Sequence, residues 1–197
     1  MPMLTGVYQS IPLIVLLIVY YMLDIWLMRR FNPNRGLLEK RDTLNTTTIF
    51  IALTLIVLQP VFMPWLGIHI TASWGLIVQV IGVLLIMLGF LLMVWVRLHL
   101  KGLFSEQVEL QPGHHLVNTG PYAYIRHPLY TTFYLMALGL LLIKPAVFEL
   151  FILCFILWHF SKLAKKEDTL LSKELPGYKE YMAITPAFLP TPWRAAK

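Results

Sequence analysis

Apolar residues run along this chain in long blocks, and polar residues gather between and after them. The first block is residues 11–28, IPLIVLLIVYYMLDIWLM, closed by Arg29 and Arg30 and carrying Asp24 as its one charge. The second, residues 46–66, holds no charge, and Pro60 and Pro64 predict a kink or a stop near its end. The third, residues 73–96, is again uncharged. A membrane-crossing helix takes about 20 mostly apolar residues, so each of these blocks reads as a span. Two shorter blocks follow, 129–143 and 146–161, parted by Lys144–Pro145. At ~1.5 Å per residue each makes roughly 23 Å of helix, short of a ~30 Å hydrocarbon core. They read as a helical hairpin with a tight Lys-Pro turn that stops short of a full crossing. The fold expected is all-α: a polytopic membrane helix bundle of about five transmembrane helices, the last two a short hairpin, with a small cytosolic C-terminal cap. The natural division is 1–96, the first three helices, and 97–197, which holds a loop, the hairpin 129–161 and the cap.

Composition agrees with this pattern. Hydrophobic residues make up 58% of the chain and charged residues 13%, against about 25% charged in soluble domains. Mean hydropathy is +0.69, which excludes a disordered chain and argues against an ordinary soluble domain. The net charge of +6 takes its meaning from its placement. With the N-terminus outside, segments 29–45, 97–128 and 162–197 lie inside and carry 15 of the 16 Lys and Arg residues; Lys144 is the exception. Basic residues biased to one side follow the positive-inside rule and face an anionic leaflet, so no nucleic-acid partner is expected. Trp65, Trp74, Trp95 and Trp158 fall near span ends, where interfacial aromatics belong. The N-terminal block has no basic segment before it and no small-residue cleavage site after it, so it is expected to remain as the first helix. The lone cysteine, Cys154, excludes an internal disulfide framework and a thiolate-rich metal site.

The polar material that chemistry needs lies in 99–128 and 162–197. Turn signals at Gln111–Pro112–Gly113 and Gly120–Pro121 bracket HHLVNT. Pro128 disfavours helical geometry at His127, which places Arg126–His127 at the entrance to the fourth helix. That pair either holds an anion or polar ligand, or Arg126 snorkels to the interface while His127 caps the helix. His99, His114, His115 and His127 gather here with Glu106 and Glu109, yet no His-x-x-x-His, His-x-x-His-His or Glu-x-x-His spacing occurs, and no metal is expected. His159, in the last apolar block, reads as a satisfied buried or interfacial histidine. GxSxG, a phosphate loop and GxGxxG are absent. Residues 161–175 read as a helix with a partial stripe of Leu163, Leu170, Leu171 and Leu175, and with Lys162, Lys165 and Lys166 solvated. Glu167 stands about one turn past the last apolar block, on the side of the histidine loop. Pro176–Gly177 breaks the helix and presents Tyr178 and Tyr181, and Pro186, Pro190 and Pro192 end regular structure.

The string HHLVNTGPYAYIRHPLY, residues 114–130, followed by Glu167, by GYKEY at 177–181 and by a proline-rich end, resembles the isoprenylcysteine carboxyl methyltransferase family of membrane enzymes. The resemblance covers roughly residues 97–192. It implies S-adenosyl-L-methionine as methyl donor, with S-adenosyl-L-homocysteine as product, held between membrane helices and a cytosolic cap. Carried over by position, it implies donor contacts at Gln107, His114, His115, Leu116, Val117, Tyr122, His127, Pro128, Leu129, Tyr130 and Glu167. Within that frame the Leu116–Val117 backbone suits the adenine edge. Glu167 suits ribose hydroxyls or an ammonium, Tyr122 and Tyr130 suit a sulfonium, and His127 at a helix start suits a carboxylate. The carboxyl methyltransferases place an arginine near the start of the cap helix for the acceptor. This chain has Lys162-Leu-Ala-Lys-Lys166 there; a lysine offers a point charge without the bidentate fork, and Arg126 is a second candidate, the catalytic one, for anchoring the acceptor carboxylate.

The expected function is carboxyl methylation of a lipophilic small molecule or lipidated, isoprenylcysteine-like acceptor that arrives through the membrane lipids. The same region leaves two alternatives: amine N-methylation of a phospholipid, and an NADPH-dependent enzyme of the sterol-reductase kind. A non-enzymatic scaffold or transport subunit would place its polar residues inside the spans, where only Asp24, Gln59 and Gln79 stand.

Overall fold

The structure is a computed structural model and describes residues 4–31, 62, 63, 65, 67, 68, 71–100 and 115–190. Five α-helices are defined among them: α1 Val7–Phe31, α2 Gly75–Leu100, α3 Pro128–Ile143, α4 Val147–Glu174 and α5 Tyr178–Ile184. A 3-10 turn, Gly120–Ala123, lies between α2 and α3. Among the described residues the only bridge of β type is the isolated pair Gly67–Ala146. The all-helical expectation therefore holds. α1 and α2 lie on the first and third apolar blocks. The loop 32–45 and residues 46–61 of the second block lie outside the described residues.

The hairpin departs from its expected length. α3 is short as anticipated, with 16 residues, but α4 does not stop at residue 161. It continues to Glu174 as one helix of 28 residues, about 42 Å at ~1.5 Å per residue. The reason lies in the sequence: no Gly or Pro stands between Val147 and Leu175, and Lys, Leu, Ala and Glu fill the polar half. The first breaker is Pro176–Gly177, where Gly177 takes φ +80° and starts α5.

Among the described residues three helices, α1, α2 and α4, are long and apolar enough to cross a membrane. Their outward faces carry Val15, Ile18, Met22 and Trp26 on α1, Leu84, Leu88 and Leu91 on α2, and Phe151, Phe155 and Trp158 on α4, all exposed. Apolar area on this scale needs a hydrocarbon cover, and the protein is an integral membrane protein. On α4 the ammonium of Lys162 sits 4.2 Å from the Trp158 ring centroid, a pairing suited to an interface.

The chain forms two compact units, one of residues 1–83 with 140–150 and one of 84–139 with 151–197. In the first unit, two buried glutamines finish the C-terminal end of α3. Gln79 Nε2 and Gln9 Nε2 both donate to the Ile143 carbonyl, at 3.0 and 2.6 Å. The last carbonyls of a helix lack intrahelical donors, so these amides supply what the helix cannot. Gln79 also pairs with the Leu4 backbone in both directions, at 2.7 and 2.9 Å. Its place inside a span thus has a structural use. Lys144, the charge exception, is buried with its Nζ 2.9 Å from Glu149 Oε1, and Glu149 is buried too. In the second unit, Gly89 on α2 lets α3 approach: a Cβ there would lie 3.1 Å from both Met136 Cγ and the Thr132 carbonyl oxygen.

Removing one partner of a buried pair strands the other charge, at a cost of about 3–5 kcal/mol, whereas replacing both by apolar residues is close to neutral. Lys144→Met should therefore lower the thermal unfolding temperature in detergent markedly, and Lys144→Met/Glu149→Leu should recover most of the loss. Equal losses in the single and double variants would contradict a paired Lys144.

Candidate functional site

The site is built in the second unit around the start of α3. Pro128 at the first helical position is pre-set for a helix and needs no hydrogen-bond acceptor. His127 is the residue before it, and its carbonyl accepts the Thr131 N–H at 3.1 Å, so it caps the helix through its backbone. The proline-rich end of the chain meets this entrance. Arg126 N–H donates to the Pro186 carbonyl and His127 N–H to the Ala187 carbonyl, each at 2.9 Å. Thr131 Oγ1 donates to the Phe188 carbonyl at 2.9 Å. Residues 185–190 form no regular element, but they lie as a strap over the α3 entrance.

The side chains at this entrance converge on a residue that the sequence reading passed over. Asp168 of α4 accepts three hydrogen bonds. His127 Nε2 lies 3.0 Å from Oδ1, the Tyr178 hydroxyl donates to Oδ1 at 2.6 Å, and Arg126 Nη2 donates to Oδ2 at 3.1 Å. Arg126 Nη1 donates to the Met182 carbonyl at 2.9 Å and also to that of Thr185. The guanidinium expected to reach an acceptor is thus set between α4 and the strap. Its Nε is buried and has no partner among the described residues.

Glu167 stands on the other side of the ring, with Oε2 3.4 Å from His127 Nδ1 and its side chain one-third exposed. The Tyr130 hydroxyl also reaches Glu167. The His127 ring stacks on Tyr130 with centroids 5.5 Å apart, and Tyr130 stacks on Phe160 at 5.2 Å. Phe133 continues the row against Phe160 at 4.7 Å. Tyr134 bonds Ser161 Oγ at 3.1 Å and meets Phe188 edge-on. A carboxylate rim beside a wall of aromatic rings suits a group that is cationic at one end and flat at the other.

Burial disfavours the charged form of His127, but hydrogen bonds to Asp168 and Glu167 and their negative charges outweigh it, and its pKa rises above the ordinary value. Burial, aided by the nearby Glu167 carboxylate, pushes the Tyr122 phenol upward, so it stays neutral. Burial does the same for Tyr178, with its bond to Asp168 adding to it.

Of the residues expected from the sequence, Tyr122, His127, Tyr130 and Glu167 come together here, with Arg126 and buried Pro128 at the helix start. Leu116 passes Gly177, its Cδ2 3.6 Å from where a Cβ would stand. His115 is exposed, and Val117 and Leu129 are half-buried. Gln107 and His114 lie outside the described residues, as do Glu106 and Glu109. Tyr178 and Tyr181, which follow the Pro176–Gly177 break, are buried; the Tyr181 hydroxyl donates to the Tyr122 carbonyl at 2.7 Å. His159 is exposed on α4 and stacks on Phe155 at 5.6 Å. Asp168 was legible after all: Ala164, Asp168, Leu171 and Leu175 share one helical face, so a carboxylate stands in an apolar stripe.

The fold and the site define a helical membrane protein with a polar centre at the entrance to a helical hairpin. Residues 80–173 match the profile of the isoprenylcysteine carboxyl methyltransferase (ICMT) family. The solved structure of the eukaryotic intramembrane Ras methyltransferase ICMT matches the fold with a TM-score of 0.64 at 19% identity, covering 91% of this chain and 64% of that one. The nickel-cobalt-cadmium resistance protein NccN of Alcaligenes xylosoxydans xylosoxydans is 30% identical over 152 residues, 76% of this chain and 65% of its own length. The cobalt-zinc-cadmium resistance protein CzcN of Cupriavidus metallidurans is 31% identical over 112 residues, 56% of this chain and 48% of its own. The protein-S-isoprenylcysteine O-methyltransferase of Schizosaccharomyces pombe is 32% identical over 79 residues, 39% of this chain and 34% of its own. The chain spans less than two thirds of each of these curated relatives. Two of the three carry metal-resistance names, and among the described residues no group of three or more His, Cys, Asp or Glu is placed to hold a metal ion.

Gly120 shapes the turn that leads into the site. Its φ is +59°, and a Cβ there would lie 2.5 Å from His99 Cε1. His99 is itself held by Thr119 Oγ1 at 2.9 Å. Gly120→Ala should therefore cost about 1–3 kcal/mol. The double variant Gly120→Ala/His99→Ala should recover the steric part and retain the backbone part. Thermal unfolding of both measures this, and an unchanged midpoint for Gly120→Ala would refute the tight turn.

Proposed function

We propose that this protein is an S-adenosyl-L-methionine-dependent methyltransferase of the membrane, and that the cluster of His127, Tyr130, Tyr122 and Glu167 is its donor site. The observation that carries this reading is the 3.4 Å approach of His127 Nδ1 to Glu167 Oε2. Forty positions separate these two residues in the chain, yet they share one centre inside the family-matched stretch. The donor set fits a sulfonium nucleoside in its chemistry. Glu167 offers a partly exposed carboxylate for ribose hydroxyls or an ammonium, and the tyrosine rings offer neutral π-faces for a cation. When bound, the donor supplies an activated methyl group, so the protein's own work is holding, aligning and excluding water. Alignment of this kind is worth about 7–11 kcal/mol of a barrier.

The acceptor we propose is the carboxylate of a lipophilic or isoprenylcysteine-like molecule reached from the bilayer. Such a group is ionised at neutral pH and asks for no general base. Arg126, with its buried Nε, is the residue we assign to the acceptor side, either by contact or by fixing the strap. Gln107, His114, His115, Leu116, Val117, Pro128 and Leu129 complete the proposed donor set. In this reading residues 1–96 anchor the protein and 97–197 do the chemistry, with the N-terminus outside and the site and C-terminus cytoplasmic. The alternative acceptor is a phospholipid amine.

Titration of the detergent-purified protein with S-adenosylhomocysteine and, separately, NADPH tests the reading. Binding of the first alone is expected, and Glu167→Ala and His127→Ala should each weaken it by tenfold or more (about 1.4 kcal/mol). Preference for NADPH, or wild-type affinity in both variants, would overturn the assignment. Methyl-labelled product from prenylcysteine analogues should be released by mild base, as an ester is; base-stable product would point to the amine.

A further inference from the structure

We propose that Asp168 is a positioning residue: it holds His127 as a doubly protonated imidazolium, and that ring in turn holds the Glu167 carboxylate at the donor site. The inference rests on the donor-site reading above and names a residue outside the expected set. Two carboxylates face the ring. Nε2 faces Asp168 Oδ1 at 3.0 Å and Nδ1 faces Glu167 Oε2 at 3.4 Å. An ionised carboxylate only accepts hydrogen bonds, so a ring between two of them satisfies both by carrying a proton on each nitrogen. A neutral ring would turn a lone pair toward one carboxylate.

The other neighbours support the same state. α3 contributes the Tyr130 ring, stacked at 5.5 Å. The strap contributes Phe188, at 5.8 Å, and the Ala187 carbonyl. α5 contributes Tyr178, which donates to the Asp168 oxygen that also faces the ring. Among the described residues the other cation facing Asp168 is Arg126, and it is bound to the opposite oxygen. With His127 charged, two cations meet two carboxylates and the centre is neutral; with His127 neutral, it carries a net negative charge. The raised pKa of His127 follows from that balance against the opposing effect of burial.

This arrangement excludes His127 from general-base work and makes it a support for Glu167. It also has a pH signature. A histidine whose folded pKa lies above the ordinary 6.5 contributes its stabilisation in full below pH 6.5, and loses it as pH rises through the folded value. Asp168→Asn keeps the shape of the side chain and removes its charge, so the loss should move to lower pH.

The test uses the full chain, labelled with [15N]histidine in detergent and assigned with His127→Gln. Ring-nitrogen shifts follow the protonation of His127, and calorimetry with S-adenosylhomocysteine follows donor affinity from pH 6 to 8. Wild-type His127 should be doubly protonated at pH 6.5 and titrate above it. In Asp168→Asn the midpoint should fall by about one unit or more, a tenfold shift in the charged fraction. Its donor affinity should stay within about twofold of wild type at pH 6 and fall about tenfold by pH 8. Tyr178→Phe, which leaves the Asp168 charge in place, should keep the wild-type midpoint to within about half a unit. An unchanged midpoint in Asp168→Asn, or an affinity loss equal at both pH values, overturns the proposal. A neutral ring in the wild type at pH 6 overturns it without any variant. If the wild type binds no S-adenosylhomocysteine while Asp168 still governs the titration, the donor reading fails and the hold of Asp168 on the ring stands.

Discussion

A carboxylate withdrawn from water has to be met by donors, and Asp168 is met by three, two from the entrance to α3 and one from the start of α5. His127, Tyr178 and Arg126 converge on its two oxygens. Each donor fixes something else as well. His127 caps α3 and faces Glu167; Arg126 holds the carbonyls of Met182 and Thr185; Tyr178 seats the first turn of α5. One aspartate therefore ties the long helix, the short one and the terminal strap into a single polar centre. Because the contacts share one charge, they stand or fall together, and losing any one of them leaves a buried group unpaired.

Hydrocarbon imposes the complementary constraint. Backbone groups inside a bilayer find no water, so irregular chain must be satisfied by protein. Gln9 and Gln79 do this for the last carbonyl of α3, and the strap carbonyls receive the free N–H groups of Arg126 and His127 before its first turn. Lys144 obeys the same logic in the tight turn after α3, where Glu149 offsets its charge. Polar residues in these places do the work that solvent does in soluble proteins.

The long apolar blocks were legible because lipid demands continuous hydrophobicity, and the helix break at Pro176–Gly177 was legible because backbone chemistry is local. The motif residues Tyr122, His127, Tyr130 and Glu167 were named from the resemblance, and their convergence appears only in three dimensions. The length of α4 was misread at residue 161, since a change from apolar to charged composition marks the edge of the bilayer and not the end of a helix. The burial of Tyr178 and Tyr181 was not read from the sequence, because it depends on side-chain contacts to Asp168 and to the distant Tyr122 carbonyl. Asp168 was overlooked beside Glu167, although its place in the apolar stripe was visible.

The account depends on a methionine-derived nucleoside resting against the rings and carboxylates at the α3 entrance. Ultraviolet cross-linking of methyl-tritiated S-adenosylmethionine to the intact protein, followed by peptide mapping, tests this most directly. The label should appear in peptides covering residues 115–130 or 160–174, and excess S-adenosylhomocysteine should compete it away. Label confined to the α1 peptides, or label that NADPH displaces and S-adenosylhomocysteine does not, would contradict the account.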